Sequence, residues 1–346
     1  MLTTHERPGV YSAYEISAVV SAAARRGVAA LAARSDGGTA GQLYDLGSAA
    51  QAAEAFGAAD RLTGLVRLLM ANGAARVLAV PLADADGYEA AFALLNRQEG
   101  VTVVLCDSED LSVQQALRDS VEAAAAQRRE RIAVVCGGAG ETVAQLTARA
   151  GSLNSRRVAL VAPASTAEDN AAAQVAAAVA GALCADGDPA LPLGGAALRG
   201  LPGLAARYGE SDLDALIRGG VTPVEAAGGR VCVVRGVTTH TKTGGAADTT
   251  WRELTTIRIV DDVIPTVRAA LTARFPRAKN TRQVRGAIRS QVVLELERKK
   301  AAEIIADYGE VRAEPSADDP TVCLVSFAFA LVHGLNQIWL SAKIAV

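Results

Sequence analysis

Short apolar runs alternate with helix-like segments from residue 27 to about residue 185. The apolar runs are predicted strands, which begin at Gly27, Arg76, Val101, Arg131 and Arg157. Segments rich in Ala, Leu, Gln and Glu separate them, as in LSVQQALRDSVEAAAAQRRE from Leu111. Nearly continuous apolar strands between helices are typical of a parallel sheet covered on both faces. The pattern therefore predicts an α/β sheet domain.

The pattern changes in the second half of the chain. Residues 186–208 are rich in Gly and Pro, which indicates a boundary or a long excursion. The turn residues AAGG precede a predicted strand at Arg230. From Asp261 the pattern is helical, and this second part is predicted to be α+β.

Two helices are predicted within this α+β part. The first is capped by Asp261 or Asp262, has Pro265 in its first turn and ends at Pro276. The second begins near Asn280, with Gln283 at capping-box spacing, and Gly309 follows its last turn. Along it Val292 and Leu296 share an apolar face with Ile288, while Glu295, Arg298, Lys299 and Glu303 line another face.

The C-terminal region returns to strand patterns. TVCLVSFAFALV and QIWLSAKIAV both read as strands, and HGLN separates them. In the last segment, alternate residues fall on one side of the predicted strand: Ile338, Leu340, Ala342, Ile344 and Val346. A strand at this position is free to pair away from its own domain.

Composition and charge restrict the classes of function that fit this chain. The 346 residues are 50% hydrophobic and only 4% aromatic, with a formal net charge of −2. A dedicated nucleic-acid binder is usually strongly basic, so we expect no nucleic-acid partner. The N-terminal residues contain no apolar core of signal-peptide length, and no run is long enough for a membrane span. We therefore expect no signal peptide and no membrane insertion.

The five cysteines lie in apolar runs at wide spacings, and no CxxC pair is present. We interpret them as reduced, buried residues of a cytosolic protein, and a zinc site is not expected. The acidic Asp107 follows a predicted strand, where a carboxylate can bind Mg²⁺ or cap a helix. Capping is the preferred interpretation, since no second carboxylate cluster completes a metal site.

Candidate catalytic residues are few. None of the three histidines, His5, His240 and His333, lies in a nucleophile-elbow motif. The turn in VVCGGAGETV, from Gly137 to Gly140, can cradle a phosphate at a helix N-terminus. Glu141 and Thr142 follow it where a Walker motif has Lys and Ser or Thr. We expect no catalytic, cofactor or metal residues, with a small-ligand binder or enzyme using this turn as the alternative.

The most uneven charge lies in VRAALTARFPRAKNTRQVRGAIRSQ. Seven cations occur between Asp262 and Glu295 with no acid among them: Arg268, Arg274, Arg277, Lys279, Arg282, Arg285 and Arg289. A solvated helix surface and a docking surface for an acidic partner both fit this pattern. Nucleic acid fits less well, because aromatic stacking residues are nearly absent here.

Several segments resemble phage-type contractile tail sheath proteins of the short form. The N-terminal ERPGVYSAYE is similar to the opening of these proteins, as are NGAARVLAVPL and VVLCDSEDLSVQQALRDSV. The likeness is strongest in GVTPVEAAGGRVCVVRGVTTHT, TWRELTTIRIVDDVIPTVR, RFPRAKNTRQVRGAIRSQVVLELE and DPTVCLVSFAFALVHGLNQIWLSAKIAV. This form occurs in contractile phages, defective prophages and contractile bacteriocins of Gram-positive bacteria. The segment from about Thr166 to Gly200 resembles the family least.

The resemblance implies a structural subunit without catalysis or cofactors. The α/β domain would be subtilisin-like in fold only, since the chain supplies no protease triad. Subunits would polymerise with copies of themselves as stacked hexameric rings around an inner tail tube protein. Baseplate and tail terminator proteins would be further partners. Contraction would drive the tube through a target cell envelope.

The resemblance also implies how the chain is divided. Residues 1–22 would form an N-terminal arm, 23–200 the α/β domain, 201–336 a C-terminal α+β domain facing the tube, and 337–346 a C-terminal β arm. Strand exchange between subunits would use Pro8, Gly9, Val10 and Tyr11 at one end and the alternating residues from Ile338 to Val346 at the other. Tube contacts would come from Arg277, Lys279, Arg282, Arg285 and Arg289. The parent particle, whether phage, defective prophage or bacteriocin, is left open.

Overall fold

A computed structural model describes residues 27–342. The predicted N-terminal arm, with Pro8, Gly9, Val10 and Tyr11, lies outside the described residues. So do Ile344 and Val346 of the predicted C-terminal arm.

A nine-stranded mixed sheet forms the centre of the molecule, in the order β2-β3-β1-β4-β5-β6-β8-β9-β7. The run from β3 to β8 is parallel, whereas β2, β9 and β7 pair antiparallel with their neighbours. The strands are β1 (Val28–Arg34), β2 (Tyr44–Leu46), β3 (Arg76–Leu82), β4 (Val101–Cys106), β5 (Ile132–Cys136), β6 (Val158–Ala162), β7 (Ala197–Leu198), β8 (Val221–Ala227) and β9 (Arg230–Val233).

The five strands predicted from apolar runs are confirmed, and with them the α/β class. Every residue of β5 and β6 is buried, as expected for strands covered on both faces. Three strands of this sheet were not predicted. Strands β2 and β7 have only three and two residues, and in β8 Pro223 interrupts the apolar pattern. The sheet takes strands from both sides of the domain boundary placed at residue 200, which stays a prediction.

Seven helices cover the two faces of this sheet. They are α1 (Ala49–Phe56), α2 (Arg61–Ala71), α3 (Tyr88–Asn96), α4 (Leu111–Ala126), α5 (Val143–Leu153), α6 (Ala171–Ala185) and α7 (Glu210–Arg218). A single-turn 3₁₀ helix, Ala85–Gly87, precedes α3. Buried side chains of α1, α2 and α6 join one core, and those of α3, α4, α5 and α7 join the core on the opposite face.

The alanine-rich α6 explains much of the unusual composition. Twelve of its fifteen residues are buried, and most of them are alanines. Helix α2 lies so close that a Cβ on Gly181 would come within 2.5 Å of the Leu69 carbonyl oxygen. Small side chains therefore allow a close helix–helix approach, and few aromatic residues are needed to fill this core.

The C-terminal unit combines two long helices with short strands. The helices are α8 (Leu254–Arg274) and α9 (Arg282–Ala301). The strands are β12 (Ile305–Tyr308), β13 (Arg312–Pro315), β14 (Cys323–Ser326) and β15 (Phe329–Leu331), and they follow a two-stranded hairpin of β10 (Lys242–Thr243) and β11 (Ala246–Ala247). Both C-terminal helices share a separate hydrophobic core with β12, β14, β15 and Val311, which directly precedes β13.

The predicted start of the first helix in this unit was wrong, whereas the second helix begins near Asn280 as predicted but with a different cap residue. Helix α8 begins two turns before Asp261, so Asp261 and Asp262 lie inside it and Pro265 is an interior proline. Thr281, not Asn280, caps α9, and Gly309 follows β12 instead of the helix. Asp261 and Asp262 were predicted as helix caps, but both lie within α8 and serve as ion-pair partners there.

The long helix α8 ties the large sheet to the C-terminal unit. Its first turns, with Leu254 and Ile257, pack in a core of the large sheet, and its later residues Ile259 and Val263 pack in the C-terminal core. At the crossing point Arg157, which precedes β6, donates two hydrogen bonds of 2.6 and 2.9 Å to Asp261.

Two further ion pairs hold the same junction. Arg268 of α8 pairs with Glu130 beside β5 at 2.8 Å, and Asp262 pairs with Lys299 of α9 at 2.5 Å. Burial raises the pKa of Asp261 above its ordinary value, although the hydrogen bonds from Arg157 oppose that shift. Ionised Asp261 therefore depends on its arginine partner, and the junction is held by charges as well as by apolar packing.

Removing Asp261 should destabilise the fold. We expect Asp261→Ala to lower the free energy of unfolding by about 3 kcal/mol, because it leaves the Arg157 guanidinium buried without its carboxylate. Asp214→Ala is the control, since Asp214 pairs with Arg218 at 3.0 Å on the exposed surface of α7. That change should cost less than about 1 kcal/mol. Urea unfolding of the two full-length variants measures the difference, and equal losses would contradict the importance of the junction.

Candidate assembly surfaces

The four C-terminal strands form one bent antiparallel ribbon. Strand β13 pairs with β14, and β12 pairs with β15. At the bend the N–H of Gly309 donates to the carbonyl of Ala328 at 2.8 Å, which joins the two ladders. The predicted single strand TVCLVSFAFALV is thus two strands with a bend between them. A two-stranded ribbon leaves one row of backbone groups open along each outer edge.

The apolar face of the ribbon is covered unevenly. On the side of β12 and β13, Ile305 and Val311 are buried beneath α9, together with Val292 and Leu296 of that helix. On the side of β14 and β15 the inward residues are only half-buried, although they alternate regularly: Val325, Phe327, Phe329 and Leu331. The hydrophobic core is therefore closed on one side and open on the other.

Residues 332–342 continue from this ribbon without pairing as a strand. Four large apolar side chains in this segment are mostly exposed: Leu335, Ile338, Trp339 and Leu340, from 75% to 94%. Ile338, Leu340 and Ala342 of the predicted alternation lie in this segment, which pairs with no strand among residues 27–342. Strand hydrogen bonds need a neighbouring strand, so the predicted C-terminal arm stays a prediction about the assembled protein.

The basic residues lie at the tip between α8 and α9. Arg277, Lys279, Arg282 and Arg289 are exposed, whereas Arg285 is half-buried and donates to the backbone and side-chain oxygens of Asn280. Two other cations of the stretch have internal partners. Arg268 pairs with Glu130, and Arg274 donates to Gln291. The surface is therefore smaller than the sequence indicated.

An acidic loop lies beside this basic tip. The Asn280 side chain donates to the carbonyls of Pro320 and Val322, which brings the loop with Asp318 and Asp319 next to the start of α9. Both aspartates are exposed. The sequence separates them from the cations by about forty residues, so spacing alone gave no signal of this neighbourhood.

The glycine-rich turn of the alternative function is filled by the protein's own carboxylates. The N–H of Gly138 donates to Glu141 at 3.0 Å, and the N–H of Ala139 donates to Glu109 at 2.8 Å. Arg149 holds Glu141 through three contacts of 2.5 to 3.1 Å. Burial opposes the ionisation of Glu141, but these hydrogen bonds from Arg149 and Gly138 together lower its pKa. A phosphate would have to displace two carboxylates to bind here.

The histidine of the polar loop does not form a catalytic arrangement. Nε2 of His240 lies 3.1 Å from Thr243 and 3.3 Å from Asp248. A catalytic histidine instead uses one ring nitrogen for its orienting carboxylate and the other for its nucleophile. The cluster closes the β10–β11 hairpin, whose backbone is also held by Asn154.

Asp107 is a buried structural carboxylate. It accepts hydrogen bonds from the Tyr88 hydroxyl at 2.5 Å and the Arg34 N–H at 3.2 Å. The predicted capping role was wrong, since Asp110 caps α4. Among residues 27–342, no group of three or more His, Cys, Asp or Glu is placed to hold a metal ion. In the same range, no helix is both long and apolar enough to cross a membrane.

The cysteines are all free, and only three of them are buried. Cys106, Cys136 and Cys184 lie in the central cores, where burial raises the pKa of the Cys106 and Cys184 thiols to about 12. Cys232 and Cys323 are partly exposed, which corrects the expectation that every cysteine is buried. Each of these two lies on a short strand near a sheet edge, where one side of the chain stays accessible.

Comparison with known proteins identifies the type of assembly. Residues 83–239 match the phage tail sheath protein central domain, and residues 246–345 match the phage tail sheath C-terminal domain. The chain belongs to the phage tail sheath protein family. A sheath protein is a structural component of a phage-type tail particle and not an enzyme. A comparison with curated protein sequences finds no match.

Solved structures with the same fold support this membership. A chain of the anti-feeding prophage baseplate, six-fold symmetrised, is 19% identical at a TM-score of 0.74, over 99% of this sheath protein and 100% of that chain. A chain of the contracted anti-feeding prophage helical sheath is 16% identical at a TM-score of 0.72, over 98% of this protein and 99% of that chain. A sheath tail protein from Desulfitobacterium hafniense is 12% identical at a TM-score of 0.69, over 94% of this protein and 100% of that chain.

The filled turn and the closed hairpin predict a protein without hydrolytic activity. We expect no turnover of ATP, GTP or peptides above a buffer blank. Glu141→Ala should lower the free energy of unfolding by about 1 to 2 kcal/mol, because it removes the partner of the Gly138 N–H, and His240→Ala should leave assembly intact. Phosphate release and thermal denaturation measure these effects. An ATPase rate that disappears in Glu141→Ala would contradict the interpretation.

Proposed function

We propose that this protein is the subunit of a contractile tail sheath that polymerises as stacked hexameric rings around an inner tube. Contraction of the sheath drives the tube through a target cell envelope. The observation that carries the proposal is the combination of an open two-edged ribbon with an exposed apolar C-terminal segment. Within the described part of a single chain, residues 27–342, both features leave bonding groups and apolar side chains without partners, and in a polymer each satisfies the other.

The free energy of each such contact is sufficient to link subunits into a polymer. A donated strand that makes five backbone hydrogen bonds gains roughly 0.5–1.5 kcal/mol from each, or several kcal/mol per linkage. Burial of Ile338, Trp339 and Leu340 adds to this, since each of these large apolar side chains is more than 80% exposed in the single chain. A strand given to one neighbour and received from another is a head-to-tail contact, which propagates into rings and helices instead of closing as a dimer.

The junction at α8 suits a subunit that moves as a rigid body. The bidentate Arg157–Asp261 pair and the shared packing of α8 hold the large sheet and the C-terminal unit together. Contraction then changes how subunits pack against one another, while the strand linkages between them persist. The extended sheath is a kinetically trapped state, and its conversion to the contracted state needs no nucleotide. The carboxylate-filled Gly137–Gly140 turn supports this view and disfavours the small-ligand alternative.

Further partners follow from the same proposal. The inner tail tube protein would bind the basic tip, and baseplate and tail terminator proteins would bind the two ends of the sheath. The baseplate origin of one structural neighbour supports the baseplate contact. The particle would be assembled in the host cytoplasm, with no nucleic-acid partner and no membrane insertion.

The tube contact relies on weak charges acting together. The exposed Arg277, Lys279 and Arg282 face solvent at the tip, and each exposed ion pair contributes only about 0–1 kcal/mol. Repetition over six subunits per ring and many rings turns such weak contacts into a template for the extended state. Each contact still breaks readily when the sheath contracts.

Deleting residues 337–346 tests the arm. We expect the truncated protein to fold, with an unchanged circular dichroism spectrum, because residues 337–342 contribute almost no buried surface in the single chain. Tubes should be absent by negative-stain microscopy, whereas the full-length chain forms them. Regular tubes from the truncated protein would contradict the proposed linkage.

Charge reversal tests the tube contact. The triple change Arg277→Glu, Arg282→Glu and Arg289→Glu, at three exposed arginines, should spare sheath–sheath linkage but impair extended assembly on the tube, and raised salt should act in the same direction. Arg61→Glu, Arg67→Glu and Arg97→Glu is the matched control, because these exposed arginines lie on the helical faces of the large sheet. Normal extended tails from the tip variant would refute the proposed tube contact.

A further inference from the structure

A cavity of about 380 Å³ lies where the C-terminal segment leaves the body of the molecule. We propose that this cavity is a docking site for Trp339 of the same chain, and that the segment from Ile338 to Leu340 closes over it as a strap while the subunit is unassembled. A closed strap is not available to a neighbouring subunit. The proposal rests on the proposed function and adds a control over when the C-terminal arm can be donated.

The cavity lies between α7 and the chain that leads into α8. Its apolar part consists of Leu213, which is buried, and of Ile217 and Val234, which are half-buried. Charged side chains surround this part: Glu210, Asp214, Arg218, Arg235 and Arg252. A tryptophan ring fits such a site, because the ring is apolar and attracts cations while its N–H can donate to a carboxylate.

Two guanidinium groups in the cavity share one carboxylate. Arg235 pairs with Glu253, and Nε of Arg252 lies 3.9 Å from the same carboxylate. The two arginine side chains are 24% and 32% exposed, so each can accept an aromatic ring. The protein already contains one contact of this kind, since the guanidinium carbon of Arg156 lies 4.6 Å from the centroid of the Trp251 ring.

The chain itself brings Trp339 to the cavity. Asn336 and Gln337 are lining residues, and Trp339 follows after one further residue. Two Cα–Cα steps span at most about 7 Å, so the ring can reach the cavity without any change before residue 338. The root of the segment is held in place, because Gly334 packs so closely that an added Cβ would lie 2.5 Å from Cγ of Pro192. Closing the strap therefore requires rotation of only a few backbone bonds.

The strap is open in the structure. Ile338, Trp339 and Leu340 are 81%, 90% and 94% exposed. Contiguous apolar side chains with this exposure are an aggregation liability for a free subunit. A tether of two residues gives the ring a high effective concentration at the cavity, so that even a weak contact is populated. Closing the strap covers the ring until a neighbouring subunit competes for the segment.

Closure of the strap competes with linkage between subunits. With the ring of Trp339 beside α7, residues 338–340 are held against their own subunit and cannot extend to another. Burial of one large aromatic side chain favours the closed state by about tenfold or more. Free subunits therefore polymerise slowly, whereas the linkage in a polymer uses the whole arm and its backbone hydrogen bonds and displaces the ring.

Tryptophan fluorescence of dilute, unassembled full-length protein tests the docking. Trp251→Phe leaves Trp339 as the sole tryptophan, since the chain has two. In this background Ile217→Glu places a charge in the cavity, and Ala215→Glu, at an exposed position of α7 outside the cavity, is the matched control. The acrylamide quenching constant of Trp339 should be several-fold lower in the background protein and the control than in Ile217→Glu. Equal constants in all three would overturn the proposal.

Chymotrypsin cleavage after Trp339 is a second readout, and it needs no change at Trp251. Cleavage follows the population of the open strap, so the unmodified chain should be cleaved about tenfold more slowly than Ile217→Glu. Thermal denaturation checks that the variant is folded. Should Ile217→Glu fail to fold, Arg218→Glu at the exposed rim of the cavity takes its place. Equal cleavage rates in the unmodified chain and the folded variant would contradict the docking.

Polymerisation rates separate this proposal from the proposed function. At equal concentration, light scattering should rise about tenfold faster for Ile217→Glu than for the unmodified chain, because more subunits have an open strap. Slower polymerisation of Ile217→Glu would overturn the strap and leave the linkage between subunits standing. If neither protein polymerised while Trp339 stayed protected in the unmodified chain, the proposed function would fail and the docking would stand.

Discussion

The junction at α8 is the constraint on which the rest of the molecule depends. One helix contributes apolar residues to a core of the large sheet and to the C-terminal core, and Arg157 meets Asp261 where the two cores approach each other. An ion pair this deeply buried contributes little net stability, because desolvation offsets the attraction between the charges. Its effect is on geometry, since losing either partner leaves a buried charge. The tip and the ribbon therefore keep a fixed position relative to the large sheet.

The parts that the sequence predicted well are those governed by apolar periodicity. The five parallel strands and the helix from Leu111 were confirmed because burial on both faces leaves an unmistakable apolar run. Helix boundaries in the C-terminal unit were less predictable. Asp261 and Asp262 have the chemistry of helix caps, and only tertiary contacts with Arg157 and Lys299 show that they serve as ion-pair partners.

The candidate surfaces show the same division between local and tertiary signals. The exposed, alternating C-terminal segment could be identified from sequence, because alternation is a local property. The partial neutralisation of the basic stretch could not be identified from sequence, since Glu130 and the loop with Asp319 come from distant segments. The Gly137–Gly140 turn was correctly doubted from Glu141, but the second carboxylate, Glu109, was visible only in the fold.

The path of the chain after the ribbon has a mechanical consequence. Because Gly334 packs against Pro192, in the loop between α6 and β7, a pull on residues 338–342 would meet this contact before it reaches β15. Tension between neighbouring subunits would then load the broad, many-stranded part of the molecule in shear along its surface. The narrow ribbon, whose short ladders would be peeled apart bond by bond, would be shielded from a pull on its own C-terminal segment.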